Sequence, residues 1–112
     1  MIEDEIAAME ALVNLLIDEG FDVVGAPTGA EGLAAYPVFR PDFIFCDYQL
    51  PDLTGLEVLR RIRAISSRGR FILLTSGVGD PQCERSLRSE ADGFLVKPLD
   101  LAQLHDALAA AA

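Results

Sequence analysis

Apolar positions along this chain follow two patterns that alternate from one end to the other. Apolar spacings of three or four residues, together with capping residues, predict five helices over residues 6–20, 28–36, 55–65, 81–91 and 101–108. Short continuous apolar runs predict strands over residues 21–26, 43–46, 71–74 and 94–96. Strands that are apolar throughout and alternate with helices are typical of a parallel sheet covered on both faces. The pattern therefore predicts a doubly wound, three-layer α/β domain.

Some helix signals are stronger than others. Thr28 with Glu31 three residues later is a capping box, and Asp80 followed by Pro81 is a typical N-cap and first helical position. The helix over 55–65 is predicted to turn four apolar residues inward, Val58, Leu59, Ile62 and Ile65. The helix after Pro81 has fewer to bury, Cys83, Leu87 and Ala91, so we expect it to be held weakly.

Composition narrows the class of protein. A length of 112 residues fits one domain, and a hydrophobic fraction of 51% excludes disorder. No apolar run is long enough to span a membrane and the first residues are acidic, which predicts a cytoplasmic domain without a signal peptide. Cys46 and Cys83 do not form a disulfide framework. The net charge of −9 predicts that neither nucleic acid nor an anionic membrane is a partner.

Three chemically capable side chains stand at the ends of predicted strands. Asp47 and Thr75 follow the strands over 43–46 and 71–74, and Lys97 follows the strand over 94–96. A charge at the end of a buried strand is costly unless it has a partner or a function. Because ligands bind beyond the carboxyl ends of strands in open α/β sheets, we expect these side chains to converge there.

Glu3 and Asp4 join this group if Met1 and Ile2 are the end of a further strand. Three neighbouring carboxylates cannot all remain ionised without a counter-charge, and Mg²⁺ prefers carboxylate oxygens together with water and phosphate. An aspartate can act as a nucleophile towards phosphorus, while a lysine and a hydroxyl offset charge on a phosphoryl group. The set predicts a phosphoryl site. Taken singly, each residue also has an ordinary structural role, such as an aspartate that caps a loop.

The chain resembles the receiver domain of bacterial two-component response regulators over essentially its whole length. The segments that carry the resemblance are Glu3-Asp4-Glu5, the strand ending at Asp47 with Leu50-Pro51 and Gly55, Leu73-Leu74-Thr75-Ser76, and Gly93-Phe94-Leu95-Val96-Lys97-Pro98. The resemblance implies a flavodoxin-like (βα)5 fold with strand order 2-1-3-4-5. It also implies a signalling phosphoacceptor rather than an enzyme.

The resemblance implies a role for each site residue. Asp47 is expected to take a phosphoryl group from a histidine of a sensor histidine kinase or a histidine phosphotransfer protein. Mg²⁺ is expected to be held by Glu3, Asp4, Asp47 and the backbone carbonyl of Gln49. Thr75 and Lys97 are expected to contact the phosphoryl oxygens.

A switch is also implied by the resemblance. Thr75 and Phe94 are the expected switch residues, with Phe94 moving inward as Thr75 shifts. The fourth helix, fifth strand and fifth helix are the expected face for a downstream protein. The bond between Lys97 and Pro98 is expected to be cis, which is energetically accessible only before proline.

The sequence departs from the family at its first strand. Only Met1 and Ile2 precede Glu3, whereas a typical strand has about five or six residues. The strand is therefore predicted to be truncated to Met1 and Ile2, which indicates an upstream start, a fragment or a degenerate domain. Residues 1–112 are read as one receiver domain without an output domain.

Two other functions remain open. A haloacid-dehalogenase-like phosphatase would also use an aspartate nucleophile, but it needs a second aspartate where this chain has Gln49, which cannot act as the acid or base. The other alternative is a degenerate pseudo-receiver that binds proteins without being phosphorylated. Its support is the short first strand.

Overall fold

The computed structural model describes residues 1–76, 81–97, 99 and 101–110, and within them helices and strands alternate as the pattern predicted. The helices are α1 (Ile6–Asp18), α2 (Gly29–Phe39), α3 (Gly55–Ile65), α4 (Pro81–Glu90) and α5 (Leu101–Ala110). The strands are β1 (Phe43–Asp47), β2 (Arg70–Thr75) and β3 (Gly93–Val96). The predicted third, fourth and fifth strands are therefore confirmed as β1, β2 and β3.

The three strands form a parallel sheet in the order β1-β2-β3. Alternate residues of these strands enter two hydrophobic clusters on opposite faces, Ile44 and Cys46 on one side and Phe45 on the other. Helices α2, α3 and α4 supply buried residues to the first cluster, whereas α1 and α5 supply them to the second. This is the predicted three-layer arrangement.

The predicted strand over 21–26 is wrong in its extent. Only Ala26 pairs, through an isolated parallel bridge to Ile2. The pairing stops there because Met1 and Ile2 offer too short a partner to continue the ladder, although the Met1 amino group donates to the carbonyl of Val24 at 3.0 Å. The apolar run therefore predicted a longer strand than the pairing with Ile2 forms.

Met1 and Ile2 take the place of the truncated first strand. Ile2 bridges both Ala26 and Cys46 in parallel, so it lies between the 21–26 segment and β1, as the order 2-1-3-4-5 requires. The amide of Ile2 donates to the Phe45 carbonyl at 2.7 Å, and the Ile2 carbonyl accepts from the amide of Asp47 at 2.9 Å. Two residues thus complete the sheet at its carboxyl edge.

The helices agree with the prediction except in two places. Thr28 caps α2, accepting from the amide of Glu31 at 3.1 Å, but the helix continues past residue 36, includes Pro37 and ends at Phe39. Arg40 follows as the C-cap with a positive φ of 52°. Ile65 was predicted to face inward, but it is the last residue of α3 and is 58% exposed.

Leu87 anchors the fourth helix and is the one buried residue among those of α4 whose burial the structure describes. Leu87 has no exposed surface in the first cluster, and Ala91 packs against the same cluster just after the helix. The predicted cap Asp80 and the predicted cis bond before Pro98 lie outside the described residues.

Candidate functional site

The carboxyl ends of the three strands bring the predicted chemical groups together. Asp47 ends β1, Thr75 ends β2, and Lys97 follows β3 directly. The sheet register holds these ends side by side, because the amide of Lys97 donates to the Thr75 carbonyl at 2.6 Å. The amide of Tyr48, next to Asp47, likewise donates to the carbonyl of Leu74 at 2.7 Å.

Glu3 reaches the same edge and is almost completely buried, with 1% of its surface exposed. Its amide donates to the Ala26 carbonyl at 3.0 Å, which extends the pairing of Ile2 by one residue. Its carboxylate oxygens accept from the amide of Glu5 at 3.2 Å and from the Lys97 ammonium at 2.5 Å. A buried charge requires such partners, since an unpaired one would be strongly destabilising.

Lys97 stands between two carboxylates. Its Nζ atom is 2.5 Å from Oε2 of Glu3 and 3.4 Å from Oδ2 of Asp47. Burial alone would lower the pKa of Lys97, but the hydrogen bond with Glu3 and the charges of Asp47 and Glu3 outweigh it, so that the pKa is raised. The lysine is therefore charged at neutral pH and offsets part of the negative charge at this edge.

The pKa of Asp47 is high for an aspartate. Burial is the main cause, and the neighbouring charge of Glu3 adds to it, so that the pKa of Asp47 rises from 3.8 to about 6 despite the opposing effect of Lys97. A carboxyl group whose pKa is displaced by burial and a named charge partner at a strand end is a typical functional-site signal.

Three carboxylates at this edge can hold a cation together. Glu3, Asp4 and Asp47 each offer a carboxylate oxygen, and these oxygens lie within 4.8 Å of one another. Glu3 and Asp47 are buried while Asp4 is exposed, so the group opens to solvent on one side. All-oxygen donors with an open side fit Mg²⁺, which keeps several of its waters in protein sites.

The loop after Asp47 is held in place by one glycine and one aspartate. A Cβ atom on Gly55 would lie 2.7 Å from the carbonyl oxygen of Asp47, so only glycine allows α3 to begin this close to the site. Asp52 accepts hydrogen bonds from the amides of Gly29 at 2.9 Å and Ala30 at 2.8 Å, at the N-terminus of α2. These bonds, led by that from Ala30, lower the pKa of Asp52.

The two predicted switch residues occupy different settings. Thr75 is buried with 3% of its surface exposed, whereas Phe94 is half-buried and packs against the first cluster. The guanidinium of Arg88, on α4, lies 4.3 Å from the centre of the Phe94 ring. Arg88 also donates to Glu84 on the same helix at 3.1 Å. Phe94 is thus in direct contact with α4.

Most of the predicted site residues lie close together, and these contacts do not test the predicted role of Gln49. Glu3, Asp4, Asp47 and Lys97 form one cluster, and the Thr75 strand end adjoins it. Gln49 is exposed beyond β1 and pairs with Thr54, which neither supports nor opposes its carbonyl as a ligand.

Sequence reasoning missed Asp52 and Arg88. Asp52 accepts from amides of α2 that lie more than twenty positions earlier in the chain. Arg88 on α4 contacts the ring of Phe94 on β3. Neither contact has a local sequence signal.

Comparison with known proteins identifies the class of domain. The family model described as "Response regulator receiver domain" matches residues 1–109. The chain belongs to the response regulator receiver domain family, the receiving domains of two-component signalling. This confirms the resemblance drawn from the motifs.

The relatives and the solved structures agree on this family. The chain is 34% identical over 104 residues to the transcriptional regulatory protein TrcR of Mycobacterium tuberculosis, and 39% identical over 99 residues to the transcriptional regulatory protein AfsQ1 of Streptomyces coelicolor. These matches cover 93% and 88% of this chain but only 40% and 44% of the relatives. The chain therefore spans less than half the length of the curated relatives it matches.

Solved structures confirm the fold class. A response regulator receiver domain protein from Clostridium thermocellum superposes with a TM-score of 0.88 at 29% identity, covering 98% of this chain and 89% of that one. A CheY-like receiver domain from Methylobacillus flagellatus gives a TM-score of 0.84 at 29% identity, covering 99% of this chain and 94% of that one.

Among the described residues, none of the helices has both the length and the apolar character that a membrane span requires.

Proposed function

We propose that this domain accepts a phosphoryl group on Asp47, in a Mg²⁺-dependent reaction, from a phosphohistidine of a sensor histidine kinase or a histidine phosphotransfer protein. One observation carries the proposal: the carboxylate oxygens of Glu3, Asp4 and Asp47 lie within 4.8 Å of one another, beside the ammonium of Lys97. Membership of the receiver family gives that cluster its chemical meaning.

The transfer needs a nucleophile and a leaving group. A carboxylate oxygen of Asp47 forms a bond to phosphorus while the bond between phosphorus and the imidazole nitrogen breaks. The electron pair of that bond stays on the imidazole, which takes up a proton, and Asp47 becomes an acyl phosphate. Because Asp47 is used once per transfer, the domain acts as a phosphoacceptor and not as an enzyme with a separate substrate.

Each neighbouring group has a role that its position supports. Mg²⁺ held by Glu3, Asp4 and Asp47 would supply positive charge against the phosphoryl oxygens. Lys97 lies 3.4 Å from Oδ2 of Asp47, near enough to pair with an anionic group on that oxygen. The carbonyl of Gln49 as a further ligand, and Thr75 as a hydrogen-bond donor to the phosphoryl group, are parts of the same proposal.

We propose that α4, β3 and α5 form the face through which phosphorylation is signalled to a downstream protein. Phe94 on β3 touches Arg88 of α4, so an inward movement of Phe94 would break that contact and shift α4 relative to the sheet. Among the residues of α4 whose burial the structure describes, Leu87 alone is buried, which is consistent with a helix that a modest local change can displace. A downstream protein would recognise the shifted face.

Labelling with a small phosphodonor such as acetyl phosphate tests the proposal. Intact-protein mass spectrometry should show one added phosphoryl group in the presence of Mg²⁺, and none after chelation. Asp47→Asn should abolish the label, while Asp42→Asn, an exposed aspartate before β1, should keep it. A folded protein that stays unlabelled would favour the pseudo-receiver alternative and refute the proposal.

The comparisons bear on the phosphatase alternative and on the predicted partners. Family membership favours a receiver over a haloacid-dehalogenase-like phosphatase, in agreement with Gln49 at the position that would need an acid. Two relatives are named transcriptional regulatory proteins, so the prediction that nucleic acid is not a partner concerns this domain alone and stays a prediction. The cytoplasmic location also stays a prediction.

A further inference from the structure

The loop between β1 and α3 is held both at its base and at its tip. At the base, the amide of Gly55 donates to the carbonyl of Tyr48 at 2.6 Å, and Gln49 pairs with Thr54 in an antiparallel bridge. At the tip, Asp52 is hydrogen-bonded to the first turn of α2. The loop's own residues and the start of α3 hold the base, whereas another part of the chain holds the tip. The position of the tip therefore depends on Asp52.

Both carboxylate oxygens of Asp52 take part in the contact with α2. The Oδ1 atom accepts from the amide of Gly29 at 2.9 Å, and the Oδ2 atom accepts from the amide of Ala30 at 2.8 Å. Hydrogen bonds to an ionised carboxylate are stronger than those between neutral groups. The two segments are also packed closely, since a Cβ atom on Gly29 would lie 3.0 Å from the Cδ1 atom of Leu53. The tip of the loop and the start of α2 therefore form one packed unit.

Helix capping alone does not account for this contact. A helix N-terminus is normally capped by the residue that precedes it. Thr28 already does so for α2, because its side chain accepts from the amide of Glu31 at 3.1 Å. Asp52 is a second acceptor, and it comes from a loop more than twenty positions later in the chain. Its additional effect is to join that loop to the helix.

The two segments that Asp52 joins lie on two sides of the carboxylate cluster. The segment just before α2 holds Glu3, whose amide donates to the carbonyl of Ala26 at 3.0 Å. The loop follows Asp47 directly and carries Gln49, whose backbone carbonyl is the further ligand of the proposed Mg²⁺ site. Asp52 thus connects the segment that positions Glu3 to the loop that positions the carbonyl of Gln49.

We propose that Asp52 is a positioning residue of the metal site, which fixes the loop that carries the Gln49 carbonyl relative to the carboxylate cluster. Asp52 is not one of the three carboxylates that could share a cation, which are Glu3, Asp4 and Asp47. Mg²⁺ demands a near-ideal octahedral arrangement of ligands, so a carbonyl that is no longer held in place lowers the affinity for the ion. The inference rests on the proposed function, in which Mg²⁺ binds at this cluster with Gln49 as a ligand.

A titration with magnesium chloride, followed by NMR, gives both the affinity and a signal at the ligand itself. In the wild type the carbonyl ¹³C signal of Gln49 should shift as Mg²⁺ binds. Asp52→Asn keeps the shape of the side chain, but its amide group has one oxygen and cannot accept from both backbone N–H groups of α2. The affinity for Mg²⁺ should therefore fall roughly tenfold, as is typical when a group that orients metal ligands is removed. The Gln49 signal should also shift less at saturation.

Two variants at the same end of α2 serve as matched controls. Thr28→Ala removes a capping bond of the helix without touching the loop, and Glu31→Gln removes one exposed negative charge from its first turn. Both should bind Mg²⁺ with nearly the affinity of the wild type. A loss in Thr28→Ala equal to that in Asp52→Asn would assign the effect to capping, and an equal loss in Glu31→Gln would assign it to charge. Either result would overturn the proposal.

The role of Asp52 and the proposed function fail in different ways. Unchanged Mg²⁺ affinity in Asp52→Asn, or Mg²⁺ binding by the wild type without a change at Gln49, overturns the role of Asp52 and does not touch phosphorylation of Asp47. Weaker binding in Asp52→Asn, in a protein that binds Mg²⁺ but is not labelled by acetyl phosphate, supports the role of Asp52 and refutes the proposed function. A wild type that binds no Mg²⁺ refutes both.

Discussion

Replacing Asp47 with asparagine should make the metal-free domain more stable at neutral pH. In the folded state burial and the charge of Glu3 raise the pKa of Asp47 from 3.8 to about 6. The folded state therefore binds the Asp47 proton more tightly than the unfolded chain does. As the pH rises from about 4 to about 6, the unfolded chain loses this proton first, so the free energy of unfolding falls and stays lower above that range.

The magnitude follows from the size of the pKa change. A rise of about two pKa units corresponds to about 3 kcal/mol between the two protonation states. Because the site opens to solvent on the side of Asp4, screening reduces the effect, and we expect about 1–2 kcal/mol. Asparagine has nearly the same shape without the charge, so the packing around β1 is retained.

The assay is urea unfolding followed by circular dichroism, with a chelator present, at about pH 4.5 and about pH 7.5. The free energy of unfolding of Asp47→Asn should exceed that of the wild type by about 1–2 kcal/mol at the higher pH, and by much less at the lower pH. Glu10→Gln, which removes one exposed negative charge from α1, serves as the control for net charge and should show no such difference. An asparagine variant that is less stable at about pH 7.5, or a difference that does not depend on pH, would refute the reasoning.

Three further predictions concern the surroundings of the site. Gly55→Ala should lower the free energy of unfolding by about 1–3 kcal/mol in urea melts, because its Cβ would overlap the Asp47 carbonyl and Leu73. Asp52→Asn should destabilise the domain at neutral pH and progressively less as the pH falls through the lowered pKa of Asp52, since protonation removes the same charge; pH-dependent thermal melts would show this. Lys97→Gln should destabilise the metal-free protein by about 2 kcal/mol, because Glu3 loses its partner, and Mg²⁺ should restore part of the melting temperature.

The fold could be predicted for those elements whose own residues indicate the secondary structure they form. The apolar runs of β1, β2 and β3 and the capped helix after Thr28 were read correctly, because burial on two faces and capping are local properties. The strand over 21–26 was not, since a strand depends on a partner as much as on its own residues. The segment is apolar as predicted, but Ala26 is the residue of it that forms a β-bridge, to Ile2.

The candidate site was predictable for a topological reason. Parallel strands end at one edge, so polar residues that follow apolar runs converge without any long-range information, as Asp47 and Lys97 do. The pairing of Lys97 with Glu3 was not foreseen, because it joins residues 94 positions apart and depends on side-chain rotamers. The hydrogen bonds that the amides of α2 donate to Asp52 were missed for the same reason.

Ile2, the residue before Glu3, is held firmly in the sheet. Ile2 is 4% exposed, it is hydrogen-bonded on both sides, and α2 approaches it at Gly32, where a Cβ would overlap its side chain. Glu3 is therefore held by packing and by two neighbouring segments, although the strand that leads to it is short. Because the carboxylate cluster lies at the carboxyl edge of the sheet, the pairing of Ile2 with Ala26 and Cys46 is what positions Glu3 beside Asp47.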